Sequence, residues 1–199
     1  MHAVDPDLIH QTAERLDTDE IITRLKDLPN SYFAQWVTLS GGDPVHWDLD
    51  DLVSLMPDTL KIAVETQGAF YKPWLRDCEL VTCSPKPPSS GMSNRTDYAV
   101  LDEYVHKLER LVFKVVIFDE DDLEFAIRIH LRYPNTPFYL SSGTPVHDNE
   151  RNGFLMTEEV MERYRWLVET LLRIDCRDLW DVTVLPQMHS MIWGNKKGK

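Results

Sequence analysis

Five clusters of glycine, proline and polar residues each follow an apolar run. Gly41-Gly42-Asp43-Pro44 follows "WVTLS", Thr66-Gln67-Gly68 follows "KIAVE", and "SPKPPSSG" from Ser84 follows "ELVTC". "SGTP" from Ser142 follows "PFYLS", and "QMHS" from Gln187 follows "WDVTVLP". Each cluster alone reads as a turn, because glycine, proline, serine and aspartate are the ordinary turn residues. Together they offer Asp43, Glu65, Thr66, Gln67, Ser84, Lys86, Ser141 and His189. Hydrogen-bonding groups of both signs suit a zwitterionic or polyfunctional small molecule better than a lipid. By position alone His189 reads equally as a capped surface or core histidine. No Gly-x-Ser-x-Gly, P-loop or His-Glu-x-x-His motif occurs, which leaves hydrolase and nucleotide-phosphate readings without direct support.

The elements that must position these clusters alternate. Strands are expected at 35–40, 61–66, 79–84, 111–118, 137–142 and 180–186. Helices are expected over 8–28 (with Asp17 or Thr18 capping a second segment), 48–56, 97–110, 119–133 and 156–174, and a short helix or turn at 69–77. Alternation of this kind implies right-handed crossovers and a parallel sheet covered by helices, with its site at the C-terminal strand ends. The acid run "FDEDDLEF" is expected to be a helix start with solvated carboxylates rather than a metal site. Met161 and Trp166 are expected in the core.

Bulk composition limits the partners. The chain has 199 residues, 43% hydrophobic and 27% charged, and one domain over 1–199 is expected. A formal net charge of -12 disfavours nucleic acid and anionic membranes as partners. The basic tail Gly194–Lys199 reads as a solvated terminus. No apolar run approaches the ~20 residues needed to span a bilayer, and the opening residues lack a signal-peptide core, so a cytoplasmic location is expected. Cys78, Cys83 and Cys176 are too few for a disulfide framework and lack zinc-finger spacing, so core or strand-end thiols are expected.

"TLSGGDP", "VETQG", "SPKPPSSGM", "FKVVIFDEDDLEFA", "PFYL" and "VLPQMHSMIWGNKKG", in this order from about residue 33 onward, resemble the 7-carboxy-7-deazaguanine synthase family. The resemblance implies an incomplete parallel (β/α) barrel of the radical S-adenosylmethionine type. It implies a ring contraction of 6-carboxy-5,6,7,8-tetrahydropterin to 7-carboxy-7-deazaguanine, with a 4Fe–4S cluster cleaving S-adenosylmethionine to a hydrogen-abstracting radical. Magnesium, an electron-donor protein and a homodimer are implied too. Carried over residue by residue, Gly41, Gly42 and Asp43 would hold the methionine end of S-adenosylmethionine. Gly68, the Ser84-Pro85-Lys86 run and Ser141 would contact the same cofactor, and Thr66 and His189 would contact the pterin.

The chain departs from the family in one respect that bears on activity. The family binds its cluster through C-x3-C-x2-C, and no such spacing occurs in the 199 residues. The expectation is that Met1 is internal to a longer protein, that the first barrel strand is missing, and that the 199 residues alone do not cleave S-adenosylmethionine. Two other readings stay open. One is a clusterless relative that binds pterin or S-adenosylmethionine, or docks a partner, without turnover. The other is an unrelated α/β enzyme using Asp43, Lys86 and His189 for acid–base work.

Overall fold

Six apolar runs become six strands of one sheet in the computed structural model, which describes residues 14–28, 34–93, 96–144, 153–174, 179 and 181–193. The strands are β1 Trp36–Leu39, β2 Lys61–Thr66, β3 Leu80–Cys83, β4 Leu111–Ile117, β5 Phe138–Ser142 and β6 Thr183–Leu185. All five neighbouring pairs are parallel, and the spatial order β1-β2-β3-β4-β5-β6 is the chain order. A doubly wound sheet reverses direction partway and places helices on both faces. A sequential order with right-handed crossovers stacks the helices on one face. The result is an α/β fold forming part of the wall of a parallel (β/α) barrel, as expected from the sequence.

Alternation along the strands decides which face is sealed. In β2, Ile62, Val64 and Thr66 are buried, whereas Lys61 and Glu65 are exposed. In β4, Leu111, Phe113, Val115 and Ile117 are buried, and Val112, Lys114 and Val116 between them are only half-buried. The buried set packs against Leu101, Tyr104, Ala126, Ile129 and Leu167 from the helices. The opposite face is the concave side of the wall.

The helices are α1 Thr18–Asp27, α2 Asp50–Ser54, α3 Tyr98–Lys107, α4 Glu120–Arg132, α5 Gly153–Arg173 and α6 Met188–Trp193, and Pro73–Asp77 forms a 3-10 turn. Asp17 caps α1 through a reciprocal pair. Its side chain accepts the Glu20 N–H at 2.8 Å, and the Glu20 carboxylate accepts the Asp17 N–H at 2.9 Å. Asp119 caps α4 by accepting the Asp122 N–H at 3.0 Å. On α4, Leu123, Ala126 and His130 are buried, and Ile127 packs half-buried against the core. His130 Nε2 lies 3.0 Å from Asp181 Oδ1, and its ring packs against Phe138.

Two expectations fail. The acid run is a helix start with Glu120 and Asp121 exposed, but Asp122 is 0% exposed. Met161 is 41% exposed rather than core. On α5, Val160 and Leu167, seven residues apart, take the core-facing stripe, so Met161, one residue on from Val160, is turned about 100° away. Trp166 does pack against the core, half-buried. The tail from 194, Cys176 and the part of the first expected helix before residue 14 lie outside the described residues.

Gly143, just after β5, is required by close approach. A Cβ there would sit 2.5 Å from the Phe118 ring. Gly143→Ala is therefore expected to cost ~1–3 kcal/mol, read as a lower urea midpoint in circular dichroism, because the ring must leave its position. An unchanged midpoint would contradict the packing.

Candidate functional site

A cleft of ≈ 220 Å³ opens at the C-terminal ends of β1 to β4. The turn after β1 contributes Ser40, Gly41 and Gly42, and the end of β2 contributes Glu65, Thr66 and Gln67. The end of β3 contributes Thr82, Ser84 and Lys86, and β4 contributes Lys114 and Val116. Glu65, Thr82, Lys114 and Val116 all belong to the strand positions that alternate with the core set. The cleft therefore lies on the concave side, at the rim where parallel sheets place their chemistry.

Lys114 Nζ lies 3.9 Å from Glu65 Oε1, with both side chains partly exposed to the cleft. Thr82, Lys114 and Val116 were not among the residues singled out from sequence. Lys114 did carry a signal: it is the one charged residue in the apolar run "LVFKVVIF". Charge inside such a strand needs a face open to water or to a ligand.

Beneath the double glycine lies a buried polar unit. Asp43 is 5% exposed and Thr66 3%. The Thr66 hydroxyl donates to Asp43 Oδ1 at 2.5 Å and accepts the Gly68 N–H at 3.0 Å. One hydroxyl thus joins the turn after β1 to the end of β2 and to the loop beyond it. Asp43 Oδ2 is buried and, among the described residues, has no hydrogen-bond partner. Gly68, at φ +76, is irreplaceable on two counts, because a Cβ there would meet Cys83 Sγ at 2.7 Å in a backbone conformation that disfavours side chains. Gly41 and Gly42 have φ of +87 and +56, and a Cβ on either would meet nothing within 4 Å. Their space belongs to the cleft.

The candidate residues are thus not all in one place. Gly41, Gly42, Thr66, Ser84 and Lys86 line the cleft, and Asp43 and Gly68 lie immediately beneath it. Pro85, between Ser84 and Lys86, is buried. Ser141 is 2% exposed near the end of β5, outside the lining. His189 is exposed on α6, after the sixth strand, and does not line this cleft.

No family model matches the chain. A 7-carboxy-7-deazaguanine synthase of Bacillus subtilis is 38% identical over 192 residues, which span 92% of this chain and 76% of the relative. One from Bacillus cereus is 37% identical over 166 residues, 81% of this chain and 68% of the relative. The chain belongs to the 7-carboxy-7-deazaguanine synthase family. A third synthase, from Pyrobaculum aerophilum, is 27% identical over 174 residues, 82% of this chain and 67% of the relative.

The thiols of this family member that the structure describes are core groups, as expected. Cys78 and Cys83 are free and buried. Burial pushes the Cys78 thiol up to about 12, with Asp77 adding and Arg110 opposing. Burial also pushes Cys83 far up, where Asp43 adds and Lys86 opposes. A thiol raised on folding contributes stability that is full below its unfolded range and lost as pH rises through the folded value. Alkylation with iodoacetamide near pH ~8 should leave both cysteines unmodified in the native protein and label both in urea. Native labelling of Cys83 would contradict its burial.

Proposed function

We propose that the chain holds S-adenosylmethionine and a reduced pterin at the β1–β4 rim and serves the conversion of 6-carboxy-5,6,7,8-tetrahydropterin to 7-carboxy-7-deazaguanine. Family membership supports the reaction. One structural observation carries the site assignment: Asp43 Oδ2 is buried and, among the described residues, unpartnered, under a turn whose glycine backbone is bare. A buried carboxylate oxygen without a donor is costly, and a ligand ammonium would satisfy it. The methionine end of S-adenosylmethionine offers that ammonium, and Gly41 and Gly42 permit the close approach it requires. The residues present therefore fit this cofactor.

The remaining polar groups divide between the two ligands. Lys86 suits the methionine carboxylate. Lys114 and Glu65 present a donor and an acceptor together, which suits a carboxylated bicycle with ring N–H groups. Thr66 is assigned to the pterin on the family resemblance and also acts through structure, since its hydroxyl donates to Asp43 and accepts from Gly68. His189 and Ser141 are assigned to the pterin and to S-adenosylmethionine on the family resemblance alone.

A reduced 4Fe–4S cluster would be the source of the electron for S-adenosylmethionine cleavage in the reading that the family resemblance implies. The described residues do not fit such a cluster: among them no group of three or more His, Cys, Asp or Glu is placed to hold a metal ion. What these residues do is bind, orient and exclude water from the two organic ligands. An electron-donor protein, a homodimer and a cytoplasmic location complete the proposal. Among the described residues no helix is long and apolar enough to cross a membrane.

Calorimetric titration of the chain with S-adenosylmethionine tests the site. Asp43→Asn should weaken binding about tenfold or more, the loss expected when a charged hydrogen bond is removed. Lys114→Ala should weaken binding of the carboxylated pterin while leaving S-adenosylmethionine unaffected. Equal affinities for the chain and Asp43→Asn would refute the assignment.

A further inference from the structure

The loop that carries Lys86 is fastened from outside the cleft. Asp122, in the first turn of α4, is 0% exposed. Its Oδ1 accepts the Ser89 backbone N–H at 2.9 Å, and its Oδ2 accepts the Ser89 hydroxyl at 2.6 Å. Oδ2 also accepts the Phe118 N–H at 2.9 Å. A carboxylate out of water is tolerated only while such donors stay in place. All three donors lie outside α4, on the loops after β3 and β4, so the carboxylate's burial depends on the positions of those loops.

The linkage runs on to β5. The Phe118 ring occupies the space a Cβ on Gly143 would fill, at 2.5 Å. Arg163 of α5 lies 5.9 Å from the same ring, and the Gly143 N–H donates to the Ile117 carbonyl at 2.8 Å. Toward the cleft, the segment between the anchor and the cation is Lys86-Pro87-Pro88-Ser89. Two prolines fix φ at both intervening positions, so the segment is a stiff strut. A displacement of Ser89 is then transmitted to Lys86 instead of being absorbed.

We propose that Asp122 is a positioning residue that registers three rim loops as one unit and, through Ser89 and the proline strut, presents Lys86 to the cleft in a single place. The effect on ligand affinity rests on the proposed S-adenosylmethionine site; the effect on loop order does not.

Amide hydrogen exchange on the chain, Asp122→Asn and Ser89→Ala reads the clamp, and titration with S-adenosylmethionine reads its consequence. An asparagine must set at least one N–H against a donor, so Asp122→Asn should speed exchange at Ser89, Phe118 and Gly143 by about tenfold or more. Ser89→Ala removes one bond and leaves the α4 cap intact. It should speed exchange from 89 to 92 with α4 unchanged, and Ser89→Thr should restore protection. Affinity for S-adenosylmethionine should fall about three- to tenfold in step with the loss of protection. Loosening confined to the first turn of α4, or unchanged exchange at 89–92 in Ser89→Ala, would overturn the proposal. Should Asp122→Asn fail to fold, Ser89→Ala and Ser89→Thr decide it. If the unaltered chain binds no S-adenosylmethionine, the functional reading falls while the exchange result still decides the clamp.

Discussion

A single buried hydroxyl organises the rim. The Thr66 hydroxyl donates to Asp43 and accepts from Gly68, so the turn after β1 and the loop after β2 share one polar atom. Both partners are almost wholly buried, and a buried polar group without a partner is costly. The unit therefore holds its shape, and it holds Asp43 with one oxygen spent on the protein and one left over among the described residues. Everything above it follows from that arrangement. The two glycines leave open space over the turn, and the β1–β4 cleft begins there.

The sheet supplies the second constraint. Helices stacked on one face force the apolar positions of each strand toward them and leave the alternate positions on the concave side. Polar and charged groups such as Glu65, Thr82 and Lys114 are therefore gathered without being contiguous in sequence. Asp122 adds a third level by fastening the loop after β3 to the helix that follows β4. Strand positions and loop anchors are thus set by different physical requirements.

The parts of this arrangement that were legible in the sequence are those with local causes. Strand ends announce themselves where apolar alternation meets glycine and proline, which is why the clusters at Gly41, Gly68 and Ser84 were found on the rim. Asp17 as a cap was legible for the same reason. What escaped depends on distant partners. Asp122 looks like any acid at a helix start until Ser89, 33 residues away in sequence, is seen donating to it. Thr66 lines the cleft, and only the fold shows that its hydroxyl is engaged with Asp43 as well. His189, expected on the rim by its position after a strand, follows the sixth strand and is not among the residues lining the β1–β4 cleft.

The most direct test of this account is a crystal structure of the protein grown with S-adenosylmethionine. The account predicts the ligand's ammonium within hydrogen-bonding distance of Asp43 Oδ2, with the Thr66 bond to Oδ1 retained. A ligand seated elsewhere, or an Oδ2 already satisfied by a protein group, would contradict it.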